Sequence, residues 1–132
     1  YACREVIPLM RAQGGGVIIN TASVSGIAGD YGFSAYSAAK AAVINLTRTM
    51  AIEMGPHDVV INCIAPGTIA TGRIVATVMP NRAGANQDPT ERIAVRRLGG
   101  VEDCAKVVEF LCTDLSDYVT GQCIAIDGGL MR

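Results

Sequence analysis

The sequence predicts an α/β domain built on a parallel sheet covered on both faces. Two short runs, 17–20 and 59–64, are hydrophobic almost throughout, as strands buried on both sides must be. They alternate with stretches whose apolar residues recur at helical spacing. Half of the 132 residues are hydrophobic, yet there are only four Tyr, two Phe and no Trp, against 15 Gly. That composition favours closely packed aliphatic strands and helices over the aromatic core of a β-sandwich.

The elements follow in order. Residues 1–13 carry Val6, Ile7, Leu9 and Met10 as a helical stripe, and Gly14, Gly15 and Gly16 end it. Pro8 inside this stretch predicts a kink or an early break. The β-branched run at 17–20 is the first strand. Residues 21–33, rich in Ser, Gly and Ala, read as a loop leaving its carboxyl end. A long helix begins at Ser34, with Ser34 or Ser37 as its cap, and ends near Gly55-Pro56. The second strand, 59–64, runs into Ala65-Pro66-Gly67. Residues 68–98 are irregular and polar in their middle, so broken helix and loop are expected. Residues 101–115 form the last helix, with Val107, Val108, Leu111 and Cys112 on its inner side. Cys123–Ile126 is a third strand, followed by Asp127-Gly128-Gly129. The chain opens on Tyr1, inside a helical pattern, so a longer polypeptide is expected upstream.

Several function classes drop out. A net charge of −1 provides no basic footprint for nucleic acid. Nor does it provide a polybasic cluster for an anionic membrane surface. No apolar run approaches the roughly 18 residues of a membrane span, and no signal peptide is recognisable. The five cysteines, Cys3, Cys63, Cys104, Cys112 and Cys123, are odd in number, and no two stand at C-x-x-C spacing. They read as small buried hydrophobes in a reducing cytoplasm, with no metal site.

The chemistry-bearing residues sit at strand ends. Tyr36 and Lys40 are four apart near the start of the long helix, which puts both side chains on one face. An ammonium beside a phenol favours the phenolate, and a phenol so tuned can give or take a proton. Ser23 lies just past the first strand, where a hydroxyl can polarise a carbonyl oxygen beside the phenol. Pro66 and Gly67 lie past the second strand on the same sheet edge. In parallel α/β sheets ligands collect at that edge. His57, the single histidine, reads as an exposed turn residue. Tyr31 and Phe33 either line a substrate pocket or pack the loop on the core. Arg96-Arg97 read as a solvated loop end.

The runs Ile18-Ile19-Asn20-Thr21-Ala22-Ser23, Tyr36-Ser37-Ala38-Ala39-Lys40 and Ile61-Asn62-Cys63-Ile64-Ala65-Pro66-Gly67 come in one order, with Thr120-Gly121-Gln122 and Asp127-Gly128-Gly129 behind them. In this pattern the chain resembles the classical short-chain dehydrogenase/reductase family, including its 3-oxoacyl-carrier-protein reductase and glucose dehydrogenase-like members. The resemblance implies an NAD(P)-dependent oxidoreductase that moves hydride between a nicotinamide and a secondary alcohol or ketone, with NAD or NADP as cofactor. Tyr36 is then the general acid/base. Lys40 assists it and binds the nicotinamide ribose, and Ser23 holds the substrate oxygen. Pro66, Gly67, Ile69 and Thr71 cradle the nicotinamide end.

The resemblance also implies a partial Rossmann-type doubly wound sheet whose N-terminal strands are missing. Residues 1–132 would be the C-terminal half of one NAD(P)-binding domain, with 72–98 as its substrate lid. The family's Gly-rich phosphate turn and its catalytic Asn have no match here and are expected upstream. Asn20 is not that Asn, since it lies within the strand. The small-residue face of Ala38, Ala39, Ala42 and Asn45 permits close helix approach, and the resemblance implies that this helix meets its symmetry mate in a homodimer or homotetramer. Two other readings stand beside the dehydrogenase. One is an extended-branch epimerase or dehydratase, which shares the Tyr/Lys pair. The other is a catalytically incompetent fragment or interaction module.

Overall fold

The computed structural model describes residues 1–72, 74, 76 and 88–130. At its centre is a parallel sheet of three strands in the order β1-β2-β3: β1 (Gly16–Thr21), β2 (Val59–Pro66) and β3 (Cys123–Ile126). Around it lie α1 (Ala2–Gln13), α2 (Val24–Ile27), α3 (Ser34–Met54) and α4 (Val101–Leu111). The pairing runs in register from Gly16 with Val59 to Thr21 with Ile64, and from Cys63 with Cys123 to Pro66 with Ile126. The carboxyl ends of all three strands therefore lie along one edge.

Alternation along β2 explains the core. Val59, Ile61, Cys63 and Ala65 share one face. Ile61 and Cys63 are wholly enclosed, and Val59 and Ile61 pack with Ile18, Met50 and Ala51 under Val6, Ile7 and Met10 of α1. Cys63 and Ala65 pack with Ala22, Val24 and Ile44. On the opposite face Asn62 is enclosed too. Its Nδ2 donates to the Val119 carbonyl at 2.6 Å, and its Oδ1 accepts from the Gln122 N–H at 3.0 Å. An amide whose nitrogen and oxygen both have partners can sit there without the cost of an orphaned polar group.

Several sequence expectations need correction. Pro8 neither breaks nor ends α1, which runs on to Gln13. Pro8 and Arg4 are both exposed, so water can reach the Arg4 carbonyl that loses its intrahelical donor. The helix stops instead at Gly14, whose φ of 87° is left-handed and suits a residue with no Cβ. α3 is preceded by Phe33 with no side-chain cap, so neither Ser34 nor Ser37 serves. The Ser37 N–H donates to the Phe33 carbonyl at 2.7 Å, which places Ser37 inside the first turn. α4 ends at Leu111, short of 115, because the chain tightens into a 3-10 turn at Asp114–Ser116. Leu111 is enclosed and Val107 and Val108 are half-buried, but Cys112 is exposed, contrary to expectation. Cys112 follows the enclosed Leu111 directly, one step around the helix and away from the core. His57 is half-buried in the 3-10 turn Gly55–His57, where full exposure was expected.

The cysteines differ sharply in environment. All are free thiols; Cys63 is buried, Cys112 is exposed and the other three are intermediate. Burial, together with the neighbouring Cys123 thiol, pushes the Cys63 thiol up to about 12. The thiolate is the reactive form, so both burial and the raised pKa disfavour reaction at Cys63 in the folded protein. Iodoacetamide at pH near 8 is expected to alkylate Cys112 first and Cys63 only on unfolding, with rates about tenfold or more apart. Peptide mass spectrometry reads this directly, and equal native labelling of the two would contradict the packing.

Candidate active site

Residues 21–33 are not a plain loop. Ser23 takes an extended conformation (φ −165°, ψ 154°) and caps α2, its Oγ accepting from the Ser25 N–H at 3.2 Å. Serine suits this position because its oxygen meets an N–H that has no partner within the helix. Ser23 is 7% exposed. One lone pair of its hydroxyl is used by that bond, and the hydroxyl hydrogen remains for an incoming oxygen.

α2 lies hard against α3. A Cβ built on Gly26 would stand 2.6 Å from the Lys40 carbonyl carbon and 2.8 Å from the Ala41 nitrogen. Only a residue without a side chain permits that approach. The contact holds the helix that Ser23 caps against the turn of α3 that carries Lys40. Tyr36 lies one turn earlier.

Lys40 Nζ donates to the Thr21 carbonyl at 2.9 Å, at the carboxyl end of β1. The same Nζ stands 5.7 Å from the centroid of the Tyr36 ring, within cation–π range. Helical i, i+4 spacing thus brings the pair together as expected, and the ammonium is also anchored to the strand. Tyr36 is 44% exposed, so its phenol is accessible to a ligand. Phe33 packs edge-on against it, with ring centroids 5.9 Å apart. Of the two loop aromatics, Phe33 therefore packs inward, while Tyr31 is fully exposed. Asn20 has a structural role: its Nδ2 donates to Thr47 Oγ1 at 2.9 Å, and Thr47 donates to the Val43 carbonyl.

The second strand brings its end to the same edge. The Ala22 N–H donates to the Ile64 carbonyl at 2.8 Å, tying the exit of β1 to β2 just before Pro66. The Gly67 N–H donates to the Ile126 carbonyl at 2.9 Å, and a Cβ on Gly67 would lie 2.7 Å from Asp127 Cβ. Ile69 bridges to Gly99, and the Ala70 N–H donates to the Gly99 carbonyl at 2.8 Å. Thr71 Oγ1 accepts from the Ile74 N–H at 3.4 Å. These contacts bring Lys40 and Tyr36 together, place the Lys40 ammonium on the Thr21 carbonyl two residues before Ser23, and set Pro66 and Gly67 on the adjoining strand end. Ile69 and Thr71 continue toward the loop that precedes α4. The expected lid, 72–98, lies in good part outside the described residues.

A cavity of about 390 Å³ opens elsewhere, between Thr68, Arg97, Gly99, Asp103 and Asp127. It contains none of Ser23, Tyr36 and Lys40. Its principal charges answer each other: Arg97 forks onto Asp103 at 2.6 and 3.0 Å, and Asp103 also accepts the Gly100 N–H at 2.8 Å. The Arg97 guanidinium and that N–H hold the Asp103 carboxyl well below the ordinary carboxylate range. Arg97 is accordingly an ion-paired residue at the start of α4. The Tyr36 phenol and the Lys40 ammonium lie outside this cavity.

Sequence reasoning missed Gly26, Ser25 and Asp30. Ser25 Oγ donates to Asp30 Oδ2 at 3.2 Å, across the loop before Tyr36. The Ser-x-Ser-Gly run at 23–26 was the available signal, since a hydroxyl cap followed closely by Gly marks a short helix under tight packing.

Comparison with known proteins agrees with this fold. The family profile described as Enoyl-(Acyl carrier protein) reductase matches residues 1–131. Cyclohexanol dehydrogenase of Rhodococcus sp. (strain TK6) is 42% identical over 132 residues, covering 98% of this chain and 48% of that protein. A short-chain type dehydrogenase/reductase from Mycobacterium ulcerans superposes with a TM-score of 0.90 at 33% identity, over 99% of this chain and 47% of that one. A 7α-hydroxysteroid dehydrogenase solved with NADH and 7-oxo glycochenodeoxycholic acid superposes at 0.85 and 29% identity, over 98% and 50%. The chain spans about half the length of the curated relatives it matches. With the Ser23, Tyr36 and Lys40 cluster at the carboxyl edge of a parallel sheet, and with these relatives, the chain belongs to the short-chain dehydrogenase/reductase family.

Proposed function

We propose that this chain carries the proton-handling part of an NAD(P)-dependent oxidoreductase site for secondary alcohols and ketones. The contact of α2 with α3 at Gly26 is the observation that carries the reading. It sets α2, which Ser23 caps, against the turn of α3 that carries Lys40, and such an arrangement suits acid/base chemistry on a carbon–oxygen bond. Ser23 Oγ donates to the substrate oxygen and fixes it. Tyr36 Oη gives its proton to that oxygen in reduction and accepts it in oxidation. Lys40, held by the Thr21 carbonyl, supplies a fixed positive charge beside the phenol.

The groups along this edge suit a nicotinamide nucleotide. An accessible ammonium and hydroxyl at Lys40 and Thr71 answer ribose and amide groups, with the Pro66-Gly67 and Ile69 backbone between them. When bound, such a cofactor supplies or takes up the hydride. Residues 1–132 are assigned as the C-terminal half of the nicotinamide-binding domain and 72–98 as its lid. The partner is a second copy of the chain. Ala38, Ala39 and Ala42 on α3 are exposed, and Leu46 (51% exposed) and Ile52 (80%) continue an apolar surface that helix pairing would bury.

The test is turnover of NADH or NADPH by the complete protein with a panel of secondary ketones. Lys40→Met is expected to weaken dinucleotide binding about tenfold, the scale of one lost charge-assisted contact. Fluorescence titration measures that Kd. An unchanged Kd, or a folded protein with no redox turnover on any ketone, would overturn the reading.

A further inference from the structure

We propose that Ser25 and Asp30 are positioning residues that lock the Ser23 hydroxyl to the Tyr36 side of the site; this rests on the function proposed above. The geometry is a continuous series of contacts. The Ser25 N–H donates to Ser23 Oγ at 3.2 Å, and the Ser25 hydroxyl donates to Asp30 Oδ2, also at 3.2 Å. The carbonyl of Asp30 in turn accepts the Phe33 N–H at 3.1 Å, closing a four-residue turn. Gly32, at φ 79°, occupies the third position of that turn, where a left-handed conformation calls for glycine. Phe33 then packs edge-on against the Tyr36 ring, and its carbonyl accepts the Ser37 N–H at 2.7 Å.

One residue at each end does two jobs. Ser25 holds the site hydroxyl with its backbone and the acid with its side chain. Asp30 holds Ser25 with its side chain and the entry to α3 with its backbone. Ser25 is 9% exposed and Asp30 is half-buried, so the bond between them is sheltered from competing water. α2 is a single turn long and cannot keep this orientation by its own hydrogen bonds. The Ser25–Asp30 bond joins α2 to the loop that delivers Tyr36, so the distance from Ser23 to Tyr36 is set on both sides: by the Gly26 contact from one, by this bond from the other. Displacements of about 1 Å in a reacting group cost up to 10²-fold in rate.

In the complete protein, Ser25→Ala and Asp30→Ala are each expected to lower kcat about tenfold, with KM for the dinucleotide unchanged within about twofold. Asp30→Asn keeps an acceptor for the Ser25 hydroxyl and is expected to restore kcat to within about threefold. A readout independent of turnover is amide hydrogen exchange without cofactor. Exchange at Ser25 and Phe33 is expected to quicken about tenfold in Asp30→Ala and to stay near wild type in Asp30→Asn. Wild-type kcat and exchange in both alanine variants would overturn the proposal. So would an Asp30→Asn variant as impaired as Asp30→Ala, since the acceptor would then be immaterial. Tyr36→Phe, run alongside, separates the two readings. Its retaining activity would remove the functional assignment, whereas its failure beside fully active Ser25→Ala and Asp30→Ala would remove only the positioning role.

Discussion

Replacing Tyr36 by Phe is expected to lower the rate of carbonyl reduction by between about 10² and 10⁴, the usual share of a positioned acid/base. The substitution removes a single oxygen. The edge-on contact with Phe33 at 5.9 Å involves the ring and survives, as does the Lys40 bond to the Thr21 carbonyl. Tyr36 is 44% exposed, so no buried hydrogen bond is lost with the hydroxyl and no cavity opens. Unfolding should therefore be unchanged within about 0.5 kcal/mol, as for surface substitutions generally. Dinucleotide Kd should also hold, because Lys40 and the Pro66-Gly67 edge remain. The diagnostic pattern is a collapse in kcat with stable Kd and stable Tm. Full retention of rate would remove Tyr36 from the chemistry.

Gly26→Ala is expected to damage stability and rate together. The new methyl would sit 2.6 Å from the Lys40 carbonyl carbon, 2.8 Å from the Ala41 nitrogen and 2.9 Å from Lys40 Cβ. Two of these atoms belong to the backbone of a 21-residue helix and cannot rotate away. The short α2 must yield, carrying Ser23 with it. Overpacking of this kind costs about 1–3 kcal/mol, read as a lower denaturant midpoint with unchanged slope. Displacement of Ser23 should cost a further ten- to hundredfold in kcat, about the range for a misplaced group. Gly29→Ala is the control: nothing lies within 4 Å of a Cβ there. Equal midpoints for the two variants would show that the α2–α3 contact is looser than described.

Where the sequence could be read and where it could not has a consistent cause. β3 was legible to the residue, and β1 and β2 to within one or two at their ends, because strands of a parallel sheet carry nearly unbroken apolar runs, although only β2 is buried almost throughout. The Tyr36/Lys40 pair was legible because helical spacing is a local property. Pro8 did not break the helix because the cost of a helix proline depends on whether the freed carbonyl is wetted, which burial decides. Ser34 and Ser37 misled as caps because capping depends on the backbone angle of the residue just before the helix, and that residue is Phe33. Cys112 misled because α4 ends one residue earlier, where Leu111 closes the core.

By itself the sequence determined the α/β class and the order of the strands along the chain, and it nominated Ser23, Tyr36 and Lys40 for the proton-handling role proposed above. These follow from hydrophobic patterning and residue chemistry, which act over a few positions. Only the tertiary structure decided how those residues meet. The anchoring of Lys40 on the Thr21 carbonyl, the glycine contact at Gly26 and the Ser25–Asp30 bond join segments whose separation in sequence carries no periodic signal. Such contacts are fixed by the packing of one element on another, at distances that no local pattern encodes.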